Sequence, residues 1–383
     1  MSDELFDRGL VPISGDPVTN GHVDLIARAS RKCKTLLVLV ANNKTKTDKY
    51  LFSLEERLEI ARRALSHLPN VEVVASSGLL VDVFMEQGCD RVFRGIRNEE
   101  DRAYELHLAS LNNTLFPGLG EKFEFLLAPP ELTHVSSSLV KELVLQRVDV
   151  SRFVPIFIKA LLEVRLRGQT MIGITGGIAS GKTWVGKQLA YRLGGTYLNF
   201  DDLIRELYEE SSRGAQMVRN ELAKLFGSDV LSGDGIHVDR DVLKRRIFTH
   251  SSSDEMMKKV VELTSPHVMR LYRQKLTQAK GFVIVEWAQM AQMEMSYLVN
   301  HQVIVVEAAD REVFLQKRGI DQEAFTRVSS HQWGAQRQVE ALQTVIDRDG
   351  YGKVLSYENH YDPVQSDEGL AGLVDAIRGL VVF

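Results

Sequence analysis

The chain has 383 residues, 44% hydrophobic and 26% charged, with 9 Pro, 28 Gly and a formal net charge of −4. At roughly 150 residues per domain this length suggests two or three cores, and the ordinary composition excludes disordered, collagen-like and disulfide-scaffold classes. The slightly acidic balance leaves no broad basic footprint for nucleic acid. The two cysteines, Cys33 and Cys89, form no CxxC and no His/Cys pairing at zinc spacing, and read as free thiols of a reducing compartment.

Residues 1–9 (MSDELFDRG) are acidic and lack the apolar stretch of a secretory signal. Residues 10–13 then read as a strand, 21–32 as an amphipathic helix, 35–41 (TLLVLVA) as a buried strand, 54–68 as a helix and 71–74 as a strand. Such alternation is the pattern of a parallel α/β sheet covered by helices. Runs such as 35–41 and 282–285 are far shorter than the roughly 20 residues a membrane span needs. A cytoplasmic protein without membrane or nucleic-acid partners is expected.

Three clusters in this first half carry chemistry. Thr19-Asn20-Gly21-His22 follows the first strand and opens a helix, where backbone N–H groups face anions and an imidazole can donate to developing charge. Arg94-Gly95-Ile96-Arg97 follows the strand-like 92–93; its arginines suit bidentate phosphate binding or form a solvated basic turn. Ser136-Ser137-Ser138 stands at a helix start, as anion donors or plain N-caps. All three fall where open α/β sheets bind ligands.

Residues 154–166 read as a helix that finishes one domain, and 170–175 (TMIGIT) as the strand that begins another. The expected division is 1–167 and 168–383. That strand runs into Gly176-Gly177-Ile178-Ala179-Ser180-Gly181-Lys182-Thr183 and then an amphipathic stretch. This is GxxxxGK[ST] in its strand–loop–helix setting: a phosphate loop for ATP. Lys182 is expected on the outer phosphates and the Thr183 hydroxyl on Mg²⁺.

From residue 170 onward the chain resembles dephospho-coenzyme A kinases. The likeness rests on GITGGIASGKT, Phe226-Gly227, Asp234-Gly235, Arg240, Leu243, Ile247-Phe248, Gln332, Val345-Ile346 and Asp349-Gly350. It implies ATP-dependent phosphorylation of the 3′-hydroxyl of dephospho-coenzyme A. Where that family carries an aspartate as base, this chain has Asn199, which cannot accept a proton. Asp201 is then expected as the catalytic carboxylate, with Asp202 and Arg240 toward the substrate. Gln322 and Ala335 stand at positions of lid arginines, with Arg318, Arg327 and Arg337 nearby.

Residues 8–166 resemble bacterial phosphopantetheine adenylyltransferases through DPVTNGHVDLIARA, FSLEER, RGIR, Tyr104-Glu105 and SSSLVKEL. The resemblance implies a Rossmann-like nucleotidyltransferase domain, a possible hexamer, and AMP transfer from ATP to 4′-phosphopantetheine. It places Ser14, Asp16, Gly21, His22, Arg97, Glu105 and Ser136–Ser138 around ATP, makes His22, Lys46 and Arg94 the catalytic groups, and sets Ser14, Lys46 and Arg94 toward the substrate. Lys44 is an alternative to Lys46. Together the halves imply a bifunctional enzyme using ATP with Mg²⁺ and ending at coenzyme A. Two alternatives remain: an adenylyltransferase with an inactive, nucleotide-sensing kinase domain, and a nicotinamide-mononucleotide adenylyltransferase fused to a nucleoside kinase. His107, His134, His267 and His331 are assigned no role.

Overall fold

A computed structural model describes residues 5–42, 49–233, 235–248, 253–309, 313, 315 and 332–381. Backbone contacts divide the chain into two compact units, 1–145 with 149–162, and 146–148 with 163–383.

The first unit is a five-stranded, wholly parallel sheet: β1 (Phe6–Ile13), β2 (Cys33–Ala41), β3 (Val71–Ser76), β4 (Arg91–Ile96) and β5 (Phe123–Leu127), ordered β3-β2-β1-β4-β5. The helices are α1 (Asn20–Ser30), α2 (Leu54–Ala64), α3 (Leu80–Glu86), α4 (Glu99–Leu115), α5 (Ser137–Leu145) and α6 (Ile156–Leu162). Central strands covered on both faces read as continuous apolar runs, and Leu36 to Val40 are all at most 2% exposed. Chain order reverses between β1 and β4, so the crevice above their carboxyl ends is the natural ligand position.

Helix α2 starts at Ser53, whose hydroxyl accepts from Glu56 N–H while the Glu56 carboxylate accepts from Ser53 N–H, a reciprocal cap. The helix read over 154–166 stops at Leu162 and continues as a π-helical turn, Glu163–Arg167. Within the second unit, Glu163 pairs with Arg167 at 3.3 Å and accepts from Asn300 at 2.7 Å.

The second unit has another parallel sheet, β6 (Gln169–Gly176), β7 (Thr196–Asn199), β8 (Gly281–Glu286), β9 (Gln302–Ala308) and β10 (Lys353–Asn359), ordered β10-β9-β6-β8-β7. Its helices are α7 (Lys182–Arg192), α8 (Phe200–Glu209), α9 (Arg213–Phe226), α10 (Arg240–Phe248), α11 (Ser253–Gln278), α12 (Ala335–Asp349) and α13 (Pro363–Arg378). One apolar cluster between the sheet and α8, α9 and α11 includes Phe200 stacked on Trp287 at 5.0 Å. A second lies between the sheet, α7 and α13. Both halves are thus parallel α/β domains, as the alternating pattern implied.

Cys33 and Cys89 are free and buried, and burial pushes both thiols up to about 11. Among the described residues, no helix is long and apolar enough to cross a membrane.

Gly176 shows how tightly β6 delivers the phosphate loop. It has φ +142°, and a Cβ there would lie 2.2 Å from the Val306 carbonyl oxygen. Neither strain nor clash can relax without moving β9. Gly176→Ala is expected to cost about 2–4 kcal/mol, the range of a forbidden backbone position plus overpacking. Calorimetric unfolding would show it as a lowered transition in the second unit.

Candidate active sites

The first site assembles on the β1–α1 turn. His22 lies in the first turn of α1, and its Nδ1 accepts from Thr19 N–H at 3.0 Å with Thr19 Oγ1 at 2.9 Å. Since Nδ1 accepts, the neutral ring carries its proton on Nε2, fixed as a donor. Burial, then Arg97, then Arg94 lower its pKa to about 4, so the neutral form prevails near pH 7.

Two carboxylates set the arginines. Glu105 grips Arg94 through Nε at 2.6 Å and also through Nη2, while Arg94 Nη1 donates to the Pro12 carbonyl at 3.2 Å. Arg97 donates from Nε and Nη2 to Asp101 at 2.7 and 3.1 Å, and from Nη1 to the Val135 carbonyl. Each guanidinium has five N–H donors, so two on each make no bond among the described residues.

The phosphate loop of the second unit turns through Gly176, Ala179 at φ +58° and Gly181 at φ +82° before α7 begins. Successive N–H groups of such a loop form an anion cradle at a helix N-terminus. Lys182 Nζ donates to the Gly177 carbonyl at 2.6 Å, across the mouth of the loop. Asn359 Nδ2 donates to the Ser180 carbonyl at 3.1 Å, tying the loop to the end of β10.

Beside this loop sits Glu286, the last residue of β8 and 4% exposed. Its Oε1 accepts from Thr183 Oγ1 at 3.1 Å, and its Oε2 accepts from the Tyr197 hydroxyl. Burial, followed by this bond, raises the Tyr197 pKa. Asn199 is the register partner of Glu286 across β7 and β8, and its Nδ2 donates to Tyr197 Oη at 3.1 Å.

A family model of dephospho-CoA kinases matches residues 170–353, and one described as cytidylyltransferase-like matches residues 14–143. The chain joins a cytidylyltransferase-like domain to a dephospho-CoA kinase domain. Both are transferase domains, one for nucleotidyl and one for phosphoryl groups. Solved structures with likeness include TT1252 from Thermus thermophilus, at 23% identity and TM-score 0.41, covering 55% of this chain and 97% of that one. A dephospho-CoA kinase from Campylobacter jejuni gives 16% and 0.31, covering 55% and 97%. A NadR protein in complex with NR gives 13% and 0.33, covering 98% and 96%.

In the cytidylyltransferase-like domain several expected ligand contacts are occupied internally. Asp16 is 4% exposed; its carboxylate accepts from Leu51 N–H and Phe52 N–H at 3.0 Å and pairs with Lys141 at 2.6 Å. Ser137 Oγ donates to the Pro17 carbonyl at 2.8 Å, and Ser136 Oγ accepts from Leu139 N–H, capping α5. Ser138 is exposed at the same helix start. Glu105 faces Arg94. Lys44 and Lys46 lie outside the described residues.

In the kinase domain Asn199 caps α8 by accepting from Asp201 N–H at 2.8 Å. Asp201 and Asp202 are exposed in the first turn of that helix, and Asp202 pairs with Arg205 at 2.6 Å. Arg240 opens α10, close enough to Tyr208 to oppose the burial that raises that hydroxyl to about 12. Asp234, Arg318, Gln322, Arg327 and His331 lie outside the described residues. Ala335 begins α12. Two groups that the sequence reading did not single out are Glu286 and Arg57. The first could have been found as the acid ending an apolar strand run, GFVIVE.

Proposed function

We propose that this chain catalyses two consecutive steps ending at coenzyme A: AMP transfer from ATP to 4′-phosphopantetheine, then phosphorylation of the dephospho-coenzyme A formed. The observation that carries the first step is His22, a neutral imidazole whose Nδ1 is held by Thr19 N–H, leaving Nε2–H as its donor, close enough to Arg97 and Arg94 to feel both charges. In that step the phosphate of the acceptor attacks the α-phosphorus of ATP and pyrophosphate leaves. His22 donates to the charge growing on the phosphates, and Arg94 and Arg97 offset it. Holding both reactants in one crevice supplies much of the rate.

For the second step the loop N–H groups and Lys182 cradle the ATP phosphates. The acceptor's 3′-hydroxyl attacks the γ-phosphorus, and ADP leaves. Asp201, exposed at the start of α8, is the candidate acceptor of the hydroxyl proton. Thr183 and Glu286 present hard oxygen donors side by side, which suit Mg²⁺. Bound there, that ion would supply charge neutralisation at the phosphates. Glu286 is buried with no ion pair among the described residues, an arrangement that favours an incoming cation. Glu286→Gln is expected to weaken ATP binding about tenfold with Mg²⁺ present and to change it little with Mg²⁺ chelated. Titration calorimetry under both conditions checks this.

The reading fails if purified protein given 4′-phosphopantetheine, ATP and Mg²⁺ makes no dephospho-coenzyme A. Supplying nicotinamide mononucleotide instead tests the competing adenylyltransferase reading. A kinase domain that only senses nucleotide would bind ATP and leave added dephospho-coenzyme A unchanged.

A further inference from the structure

Arg57, on α2, is 1% exposed. Its guanidinium lies under the β1–α1 turn. Nη1 donates to the Ser14 carbonyl at 2.7 Å and the Ala41 carbonyl at 3.1 Å, Nη2 donates to Asn42 Oδ1 at 3.0 Å, and the plane lies 3.9 Å from the centre of the Tyr50 ring. No carboxylate of the described residues forms an ion pair with it. A buried charge is costly unless its surroundings compensate it. Here carbonyl dipoles, an amide and a ring face do so, and all of them are weaker than a counter-ion.

The same turn is gripped from its other side. Asp16 is held by Lys141 and the Leu51 and Phe52 amides, and the Pro17 carbonyl by Ser137. Between the grips is Gly15, at φ +62°, a left-handed position that other residues adopt at a cost. The turn from Ser14 to Pro17 therefore has little freedom of its own, and Arg57 sets the height of its Ser14 end. That end leads directly to Thr19 and His22.

We infer that Arg57 is a positioning residue of the nucleotidyl-transfer site, fixing the turn at Ser14 and lending it a positive charge whose counter-charge is the nucleotide's phosphates. It acts through the turn and does not touch the substrate. Charges in a low-dielectric interior are felt more strongly than exposed ones, so a guanidinium behind the turn strengthens every anion contact in front of it. The inference rests on the adenylyltransferase reading for its chemistry, but only on nucleotide binding for its test.

The test compares wild type, Arg57→Lys and Arg57→Met in the full-length chain. ATP affinity of the first domain is measured by calorimetry in a Lys182→Met background, which weakens the second ATP site. AMP transfer and thermal unfolding are followed alongside. Arg57→Met is expected to weaken ATP binding at least roughly tenfold and to lower kcat/KM for transfer roughly 100-fold, as for a lost preorganised electrostatic contact. Arg57→Lys keeps the charge and loses the fork, so it should recover at least about fivefold of the lost affinity. ATP should also raise the unfolding temperature of the Met variant less than that of wild type. A purely structural arginine would lower the unfolding temperature and leave ATP affinity within about threefold of wild type; that result overturns the inference. So does an Arg57→Lys variant binding ATP no better than Arg57→Met. If wild type binds ATP but transfers no AMP, the functional reading fails, and the affinities still decide the role of Arg57.

Discussion

Replacing Lys182 by Ala is expected to lower phosphorylation of dephospho-coenzyme A by about 10³-fold, because the loop lysine is the main cation placed on the outer phosphates. The first reaction should continue at the wild-type rate, since Lys182 belongs to the unit that carries β6 to β10. The substitution leaves the loop backbone intact: Gly176 and Gly181 keep their turns, and the bonds lost include that from Nζ to the Gly177 carbonyl. Stability should change little. Mass spectrometry of the products would show dephospho-coenzyme A accumulating in place of coenzyme A. If coenzyme A forms at an undiminished rate, the phosphate loop is not the kinase site.

His22→Ala should have the opposite selectivity. Loss of a positioned donor to developing phosphate charge costs about 10²–10³-fold in kcat, while dephospho-coenzyme A supplied directly is still phosphorylated. Gln at this position keeps an N–H donor and should fall between the two. The pH dependence follows from burial and the two arginines, which lower the His22 pKa from 6.5 to about 4. The free protein therefore keeps the ring neutral across pH 6 to 8, and His22 puts no ionisation into the transfer profile there. The unfolded chain takes up this proton near pH 6.5 and the folded chain only near 4. His22 thus contributes full stability above about 6.5, and the contribution declines as pH falls from there toward 4. Unfolding curves of wild type and His22→Gln should converge as pH is lowered through that window.

The phosphate loop was legible because its demands are local. Gly176 and Gly181 must adopt positive φ, and the strand before and helix after are contiguous in sequence. Parallel sheets were legible from alternation for the same reason. What escaped was set by contacts between distant segments. Asp16 looks like a ligand beside the His22 box, but its carboxylate turns to Lys141, 125 residues away. Ser137 reads as an anion donor or a plain N-cap at a helix start, and its hydroxyl donates to the Pro17 carbonyl, 120 residues away. Glu286 meets Thr183 and Tyr197 across 103 and 89 residues. The helix over 154–166 changes to a π-helical turn after Leu162, and there Glu163 accepts from Asn300, 137 residues away, a contact that periodicity does not encode.

Asn199 illustrates how a single position bears on function. The amide was recognisable from sequence as unable to act as a base, and its place as the cap of α8 accounts for both of its polar atoms, one on Asp201 N–H and one on Tyr197. Two carboxylates, Asp201 and Asp202, stand exposed at the start of α8, while Glu286 is committed to the Thr183 side.

The most direct measurement supplies purified full-length protein with 4′-phosphopantetheine, ATP and Mg²⁺ and follows products by mass spectrometry over time. Dephospho-coenzyme A should rise first and then decline as coenzyme A appears, with one pyrophosphate and one ADP released per coenzyme A. Accumulation of dephospho-coenzyme A with no coenzyme A, or no product at all, would contradict the account.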